Sequence, residues 1–288
     1  MSSLTVQMVL YRNPISQIRR ALNSIVISAG CATDEFKIRL GSNSCNSSSN
    51  VEYAKLVKEF SKHIDIGLVN SDTNIGHGAM HNSLFHEESS ISELLLIMNP
   101  DGILGVNSLQ AMFKKISSST VGAVEPRQIP FEHPKKYNLL TGETNWISGA
   151  CILVKSEIFK KVGFFDERFF LHGDDVDLSW RIRNDGFTIH CVAEATFFHD
   201  KQVGANGYPK LSESENFYGP LGALLIAHKY GLKKGLTLML KDLSKSDNEV
   251  HRDVLKAFQL QSSFYEPIKI KAGIAKYAHP WRFSENRY

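Results

Sequence analysis

Four stretches of this 288-residue sequence combine residue types and spacings that can do chemistry. The first is LLLIMNPDG, Leu94 to Gly102, an apolar run ending in Asn99, Pro100 and Asp101. A carboxylate just past a buried strand can hold a hard divalent cation, Mn²⁺ or Mg²⁺, against a diphosphate, because phosphate and water complete the shell. Asn-Pro-Asp-Gly is equally a favoured type I turn. The second is Phe164 to Gly186, where Asp174, Asp175 and Asp177 sit beside Phe169, Phe170 and Leu171. Val176, Leu178 and Ile182 follow at helical spacing, which puts the acids in the first turn of a helix. Acids there cap free N–H groups and favour the macrodipole. Three clustered like charges exceed what capping needs, however, and an ionised Asp can accept a proton as general base. The third is ATFFHD, in which His199 follows a strand-like run, a place where a histidine packs as readily as it binds a ligand. The fourth is NIGHGAMHN, Asn74 to Asn82, whose Gly76 and Gly78 permit close backbone approach where a helix begins and anions are attracted. It is neither GxGxxG nor a P-loop.

These residues need a scaffold, and short apolar runs alternating with helix-like segments through the first 125 residues supply a βαβ pattern. Strands are expected at Thr5 to Leu10, Phe36 to Leu40, Ile64 to Val69, Leu94 to Met98 and Val121 to Val124. Helices are expected at Pro14 to Ser28, Val51 to Ser61, Gly78 to His86 and Val106 to Ile116, and Gly41 to Asn50 reads as a polar loop. Ligands bind at the carboxyl ends of strands in open α/β sheets, so the residues just past each run become site candidates. From about Lys201 the alternation stops and apolar positions recur at helical spacing, which predicts a boundary near 200 and a helical extension.

Composition excludes several classes. With 42% hydrophobic and 22% charged residues the chain is an ordinary globular protein, and a net charge of +3 does not suggest a nucleic-acid partner. The charge is split: residues 1–200 carry 19 Lys/Arg against 22 Asp/Glu, whereas residues 201–288 carry 14 against 8. Cys31, Cys45, Cys151 and Cys191 have no zinc or disulfide spacing, which fits a reducing cytoplasm. Neither a signal peptide nor an apolar run of about 20 residues is visible, so no export or membrane span is expected.

In series, the Tyr-x-Asn after the first strand, NIGxGxxxN, LLLIMNPD, WISGACILV, GFFDERFFLHGDDVDLSWRIRNDG and the late His resemble family 2 glycosyltransferases of the GT-A fold, and among them the bacterial rhamnosyltransferase-like branch. The likeness covers roughly residues 4–230 and is most specific from Trp146 to His199. It implies a Rossmann-like, mostly parallel sheet flanked by helices (residues 1–200); the basic helical extension that the spacing predicts (residues 201–288) follows it. It also implies an inverting, metal-dependent transfer of a sugar, with dTDP-L-rhamnose the preferred donor, to a glycan or polyprenyl-diphosphate-linked glycan in surface polysaccharide synthesis. Asp101 stands at the metal-ligand position of the DXD-type motif, with Asn99 at its first acid, and His199 matches the late metal-site His. Asp175 matches the general base and Asp174 the acid before it, which orients the acceptor. Trp146, Ser148 and Gly149 match the segment lining sugar and acceptor. Leu10, Tyr11 and residues 41–44 match the base pocket, with Asn13, Asn43, Asn74 and Asn82 as further donor contacts.

One departure stands out: where the family has an acid in the second strand's turn, this chain reads Gly41-Ser42-Asn43-Ser44. A degenerate, nucleotide-sugar-binding scaffold is therefore an alternative, although Asp101, Asp175 and His199 are retained. A nucleotidyltransferase is disfavoured by the lack of glycine in Tyr11-Arg12-Asn13-Pro14. Lys229, Lys233, Lys234 and Lys241 flank several leucines, so the extension either lies on an anionic membrane or packs on the body.

Overall fold

The computed structural model describes residues 2–45, 48–133, 135–201 and 210–263. The elements are β1 (Leu4–Leu10), α1 (Ile15–Gly30), β2 (Phe36–Ser42), α2 (Ser48–Phe60), β3 (Asp65–Asn70), α3 (His77–His86), β4 (Leu94–Met98), β5 (Gly102–Leu104), α4 (Ser108–Ile116), β6 (Val121–Ile129), β7 (Cys151–Lys155), α5 (Ser156–Lys161), α6 (Asp174–Asn184), β8 (Thr188–His199), α7 (Glu213–Lys229), α8 (Lys233–Ser244) and α9 (Glu249–Ser262). The eight strands form one sheet in the order β3-β2-β1-β4-β7-β6-β8-β5.

The strand-rich half follows from side-chain alternation. On β4, Leu94, Leu96 and Met98 enter one core with α1 and α4, whereas Leu95 and Ile97 enter a second core against α5 and α6. A strand buried on both faces needs an unbroken apolar run, and LLLIM is one. Ladders β3-β2-β1-β4 are parallel, so the residues after β1, β2 and β4 share one edge. β7 runs antiparallel to β4 and to β6, and β8 runs parallel to β6, which returns the end of β8 to that same edge. The sheet is therefore mixed in its second half.

Two expectations are corrected here. Gly41 to Asn50 is not wholly a loop: Gly41 and Ser42 continue the β2 ladder opposite Val9, Leu10, Val69 and Asn70, and Ser48–Asn50 open α2. Ser and Asn suit a helix start as well as a turn. The sheet also gains β5, β7 and the full β8, whose polar interruptions and short β5 hide them from a periodicity reading.

Residues 202–209 and 264–288 of the expected extension lie outside the described residues; its described part, α7 to α9, packs on the body through a third core, in which Leu221, Leu224, Leu225 and Tyr230 meet Trp146, Phe169, Val176 and Trp180. Lys229 is buried with it, its Nζ 2.6 Å from Asp166 and 2.5 Å from Asp177, and Tyr230 Oη donates to Asp177 at 2.9 Å. Asp177, the third acid of the cluster, thus anchors α7 to α6. Removing one partner of such a buried set leaves an uncompensated charge, so Lys229 holds the extension to the body and is not available to a membrane.

Candidate active site

The shared strand edge opens into two adjoining cavities. The larger, about 530 Å³, is lined by Val9, Tyr11, Asn13, Asn43, Asn74 and Asp101, with the start of α7 (Ser212 to Glu215) opposite. The smaller, about 290 Å³, is lined by Gln128, His133, Ser148, Gly149, Asp174, Asp175 and His199. His77, Asn99, His172 and Lys201 line both. The wall at α7 is firm because Ser212 and Glu215 form a reciprocal capping box, and Glu215 also accepts from Lys201 Nζ at 2.6 Å.

Asp101 and His199 meet where the cavities join. The β5–β8 ladder sets Gly102 opposite His199, and Asp200 N donates to Asp101 O at 2.9 Å. Asp101 Oδ1 and His199 Nε2 are 3.4 Å apart, and each is buried without a hydrogen-bond partner. His199 Nδ1 lies 3.2 Å from Gln128 Oε1, and in the tautomer that donates from Nδ1 to this amide oxygen the Nε2 lone pair faces the carboxylate. Two facing acceptors at this distance suit a shared cation, and carboxylate with imidazole is a donor set for Mn²⁺. Burial pushes the Asp101 carboxyl up, but His199, as a donor from Nε2 before any metal binds, and the charge of Lys201 outweigh it and hold the group below its usual value, ionised. Among the described residues no cluster of three protein ligands exists, so a bound cation here relies on water or phosphate for the rest of its shell.

The acids of α6 are sorted by their partners. Gly173, with φ 87°, precedes the helix, and His172, with φ 62°, makes a second left-handed residue in succession, which swings the chain so that the first turn faces the smaller cavity. Asp175 is partly exposed; its Oδ2 accepts from Gly149 N and its Oδ1 from Val176 N, both at 2.8 Å. Desolvation and then the charge of Asp174 push its carboxyl up. Asp174 is buried with Oδ2 2.7 Å from His77 Nδ1. Burial alone would raise it, but His77 and then His172 hold it down.

The remaining candidates divide. Tyr11 stands exposed at the larger cavity. Asn13 spends its amide on Tyr11 N and Gln17, closing the turn after β1, and Asn74 Oδ1 accepts from Gly76 N. Asn43 is buried, donates to Gly76 O at 2.9 Å and keeps an unpartnered Oδ1. Asn99 lines both cavities, its N–H bound to Ala150 O.

Three candidates are corrected. Leu10 is fully buried in the first core, because alternation on β1 turns it away from the cleft and leaves Val9 to line it. Trp146 is buried in the third core, where Lys135 Nζ sits 4.2 Å from its ring, so only its neighbours Ser148 and Gly149 reach a cavity. Asn82 braces α3 to the chain before α6, donating to Phe165 O and Glu167 Oε1 and accepting from Phe165 N. The departure at Gly41 also has a cause. A Cβ there would stand 2.5 Å from Met80 Cγ, so the position faces packed α3 and not the cleft.

Residues absent from the sequence reading are His77, Gln128, His133 and Lys201. His77 lies inside NIGHGAMHN, and its pairing with Asp174, 97 residues on, has no signature in that motif. Gln128 and His133 are separated from the motifs in sequence, and only the β6 and β8 pairing brings Gln128 to His199.

The fold is the GT-A architecture found in glycosyltransferases. Two solved structures carry that statement: GalNAc-T7 with UDP, GalNAc and Mn²⁺ (TM-score 0.64, 11% identity, 91% of this chain and 55% of that one), and the mannosyltransferase PcManGT of Pyrobaculum calidifontis with GDP-Man and Mn²⁺ (TM-score 0.62, 14% identity, 97% and 84%). Among curated proteins, the N-acetylglucosaminyl-diphospho-decaprenol L-rhamnosyltransferase of Mycobacterium tuberculosis is 31% identical over 110 residues, 37% of this chain. The chain spans little more than a third of that relative's length, 36%. No family model matches.

Proposed function

We propose that the chain is an inverting, metal-dependent glycosyltransferase that moves a sugar, best matched by L-rhamnose from dTDP-rhamnose, to a glycan or polyprenyl-diphosphate-linked glycan during surface polysaccharide synthesis. The observation that carries this reading is the placement of Asp101 Oδ1 and His199 Nε2, 3.4 Å apart and both without a hydrogen-bond partner, at the junction of two cavities, with a raised-pKa Asp175 in the smaller one. Donor nucleotide fits the larger cavity, where Tyr11 offers a ring and Asn43 Oδ1 an acceptor for a base N–H. Acceptor fits the smaller one. Asp175 takes the proton of the acceptor hydroxyl, whose oxygen attacks the anomeric carbon opposite the leaving diphosphate; Gly149 N and Val176 N hold the carboxylate in place. Asp101 and His199 would hold Mn²⁺ or Mg²⁺, which supplies charge neutralisation for the departing diphosphate.

A thermal-shift screen of nucleotide sugars with Mn²⁺ tests this. A true donor at about 100 times its Kd adds about 2.7 kcal/mol and several degrees of melting temperature. It should also be slowly hydrolysed in an EDTA-sensitive manner. Stabilisation by a donor without any hydrolysis or transfer favours the scaffold alternative, and no stabilisation by any nucleotide sugar sinks both.

Among the described residues no helix is long and apolar enough to cross a membrane. Lys233, Lys234 and Lys241 are exposed on α8 and flank its half-buried leucines, which supports peripheral contact with an anionic, cytoplasm-facing membrane surface. Flotation with phosphatidylglycerol vesicles should be lost in high salt and in the triple Lys→Ala variant; a protein that never floats at low salt removes the proposal.

A further inference from the structure

His77 opens α3 at the wall shared by both cavities. Its ring is fixed on three sides. Nδ1 lies 2.7 Å from the buried Asp174 carboxylate, the ring packs edge-on against His81 at 4.6 Å and Phe165 at 5.8 Å, and the backbone N–H donates to Phe170 O at 2.9 Å. Nε2 has no protein hydrogen-bond partner among the described residues, and it is not among the buried orphaned atoms. A buried acid thus holds one nitrogen while the other is left to the cavity.

We propose that His77 is a second cationic contact for the donor, its Nε2–H donating a hydrogen bond to the phosphate oxygen that leaves the sugar. This rests on the donor reading above and adds a residue to it. The titratable groups around the ring are Asp174 and Asp175 on α6 and His81 on α3, and burial with the charge of His77 pushes His81 well below the usual imidazole range. Burial works against a charged His77, but Asp174 and Asp175 outweigh it and favour the imidazolium. The nearby Lys201 is already engaged by Glu215 and the exposed Lys210 lines only the larger cavity, whereas His77 sits in the wall of both with its counter-charge behind it. An anion suits such a donor better than a neutral hydroxyl, because charge assistance roughly doubles a hydrogen bond's strength. In the transfer, the acceptor oxygen bonds to the anomeric carbon, and the electron pair of the breaking bond passes to the phosphate oxygen. The hydroxyl proton goes to Asp175, and His77 keeps its own proton.

Two substitutions separate this role from simple support of Asp174. In His77→Asn the amide nitrogen falls near Nδ1 and preserves the Asp174 bond, but the Nε2 donor is gone. In His77→Gln the amide nitrogen reaches toward Nε2 and the Asp174 bond is given up. Dissociation constants for UDP and UMP, and in parallel dTDP and dTMP, are measured in EDTA by calorimetry. Wild type should prefer the diphosphate at least about tenfold, His77→Asn should lose about tenfold of that preference with the monophosphate unaffected, and His77→Gln should lose less. The proposal is overturned if His77→Asn keeps the wild-type preference, or if His77→Gln is the more damaged, as a role confined to Asp174 requires. Should His77→Asn not fold, wild type decides: diphosphate bound no tighter than monophosphate overturns the proposal. Wild type binding none of these nucleotides overturns the donor reading itself.

Discussion

Asp175→Asn is expected to lower sugar transfer by about 10²- to 10⁴-fold while leaving nucleotide-sugar affinity near wild type. The separation follows from position, since Asp175 lines the smaller cavity and is absent from the wall of the larger one. Each carboxylate oxygen spends one lone pair on a backbone N–H, from Gly149 and from Val176, and keeps another for an acceptor proton. Asparagine preserves the volume and one of these bonds but cannot take the proton. The pH profile supplies an independent check. Desolvation and the Asp174 charge raise the Asp175 carboxyl, so kcat/KM should fall on the acid side at a higher pH than an ordinary aspartate gives. Removing the neighbouring charge with Asp174→Asn lowers the Asp175 pKa and should move that limb to lower pH. Wild-type turnover in Asp175→Asn would instead assign the base to Asp174, despite its engagement with His77.

How much of this was legible in the sequence depends on whether a residue's partner is near in sequence or only near in space. The parallel strands and helices of the first half were readable because each is built from local periodicity, and the end of LLLIM located Asn99 and Asp101 at the ligand edge. The first turn of α6 was readable for the same reason, from Val176, Leu178 and Ile182. The sorting of its three acids was not, because it is set by Gly149, His77 and Lys229, at least 26 residues away in the chain. Leu10, Trp146 and Asn82 failed as cleft residues for a related reason. A motif position states which residue type occurs near a site, whereas strand alternation and core packing decide which side chain faces it. The absent acid at Gly41 likewise reads as a missing contact in sequence and as a tight helix approach in space.

Chelation of the divalent cation, or Asp101→Asn, is expected to cost on the order of 10³-fold in transfer, the several kcal/mol that a metal provides against a developing diphosphate charge. Asp101 Oδ1 and His199 Nε2 face each other, buried, at 3.4 Å, and neither has a hydrogen-bond partner. Such a pair costs stability unless a cation lies between them, since each has given up water. Gln128 makes the reading sharper. By accepting from His199 Nδ1 it favours the tautomer whose Nε2 can ligate, so Gln128→Leu should weaken Mn²⁺ binding about 10- to 100-fold although Gln128 is not itself a ligand. Free Mn²⁺ measured by electron paramagnetic resonance reads that affinity without any sugar transfer. Were Asp101 and His199 merely an ion pair, neither EDTA nor Gln128→Leu would change the transfer rate, and Asp101→Asn would leave Mn²⁺ binding as it is in the wild type.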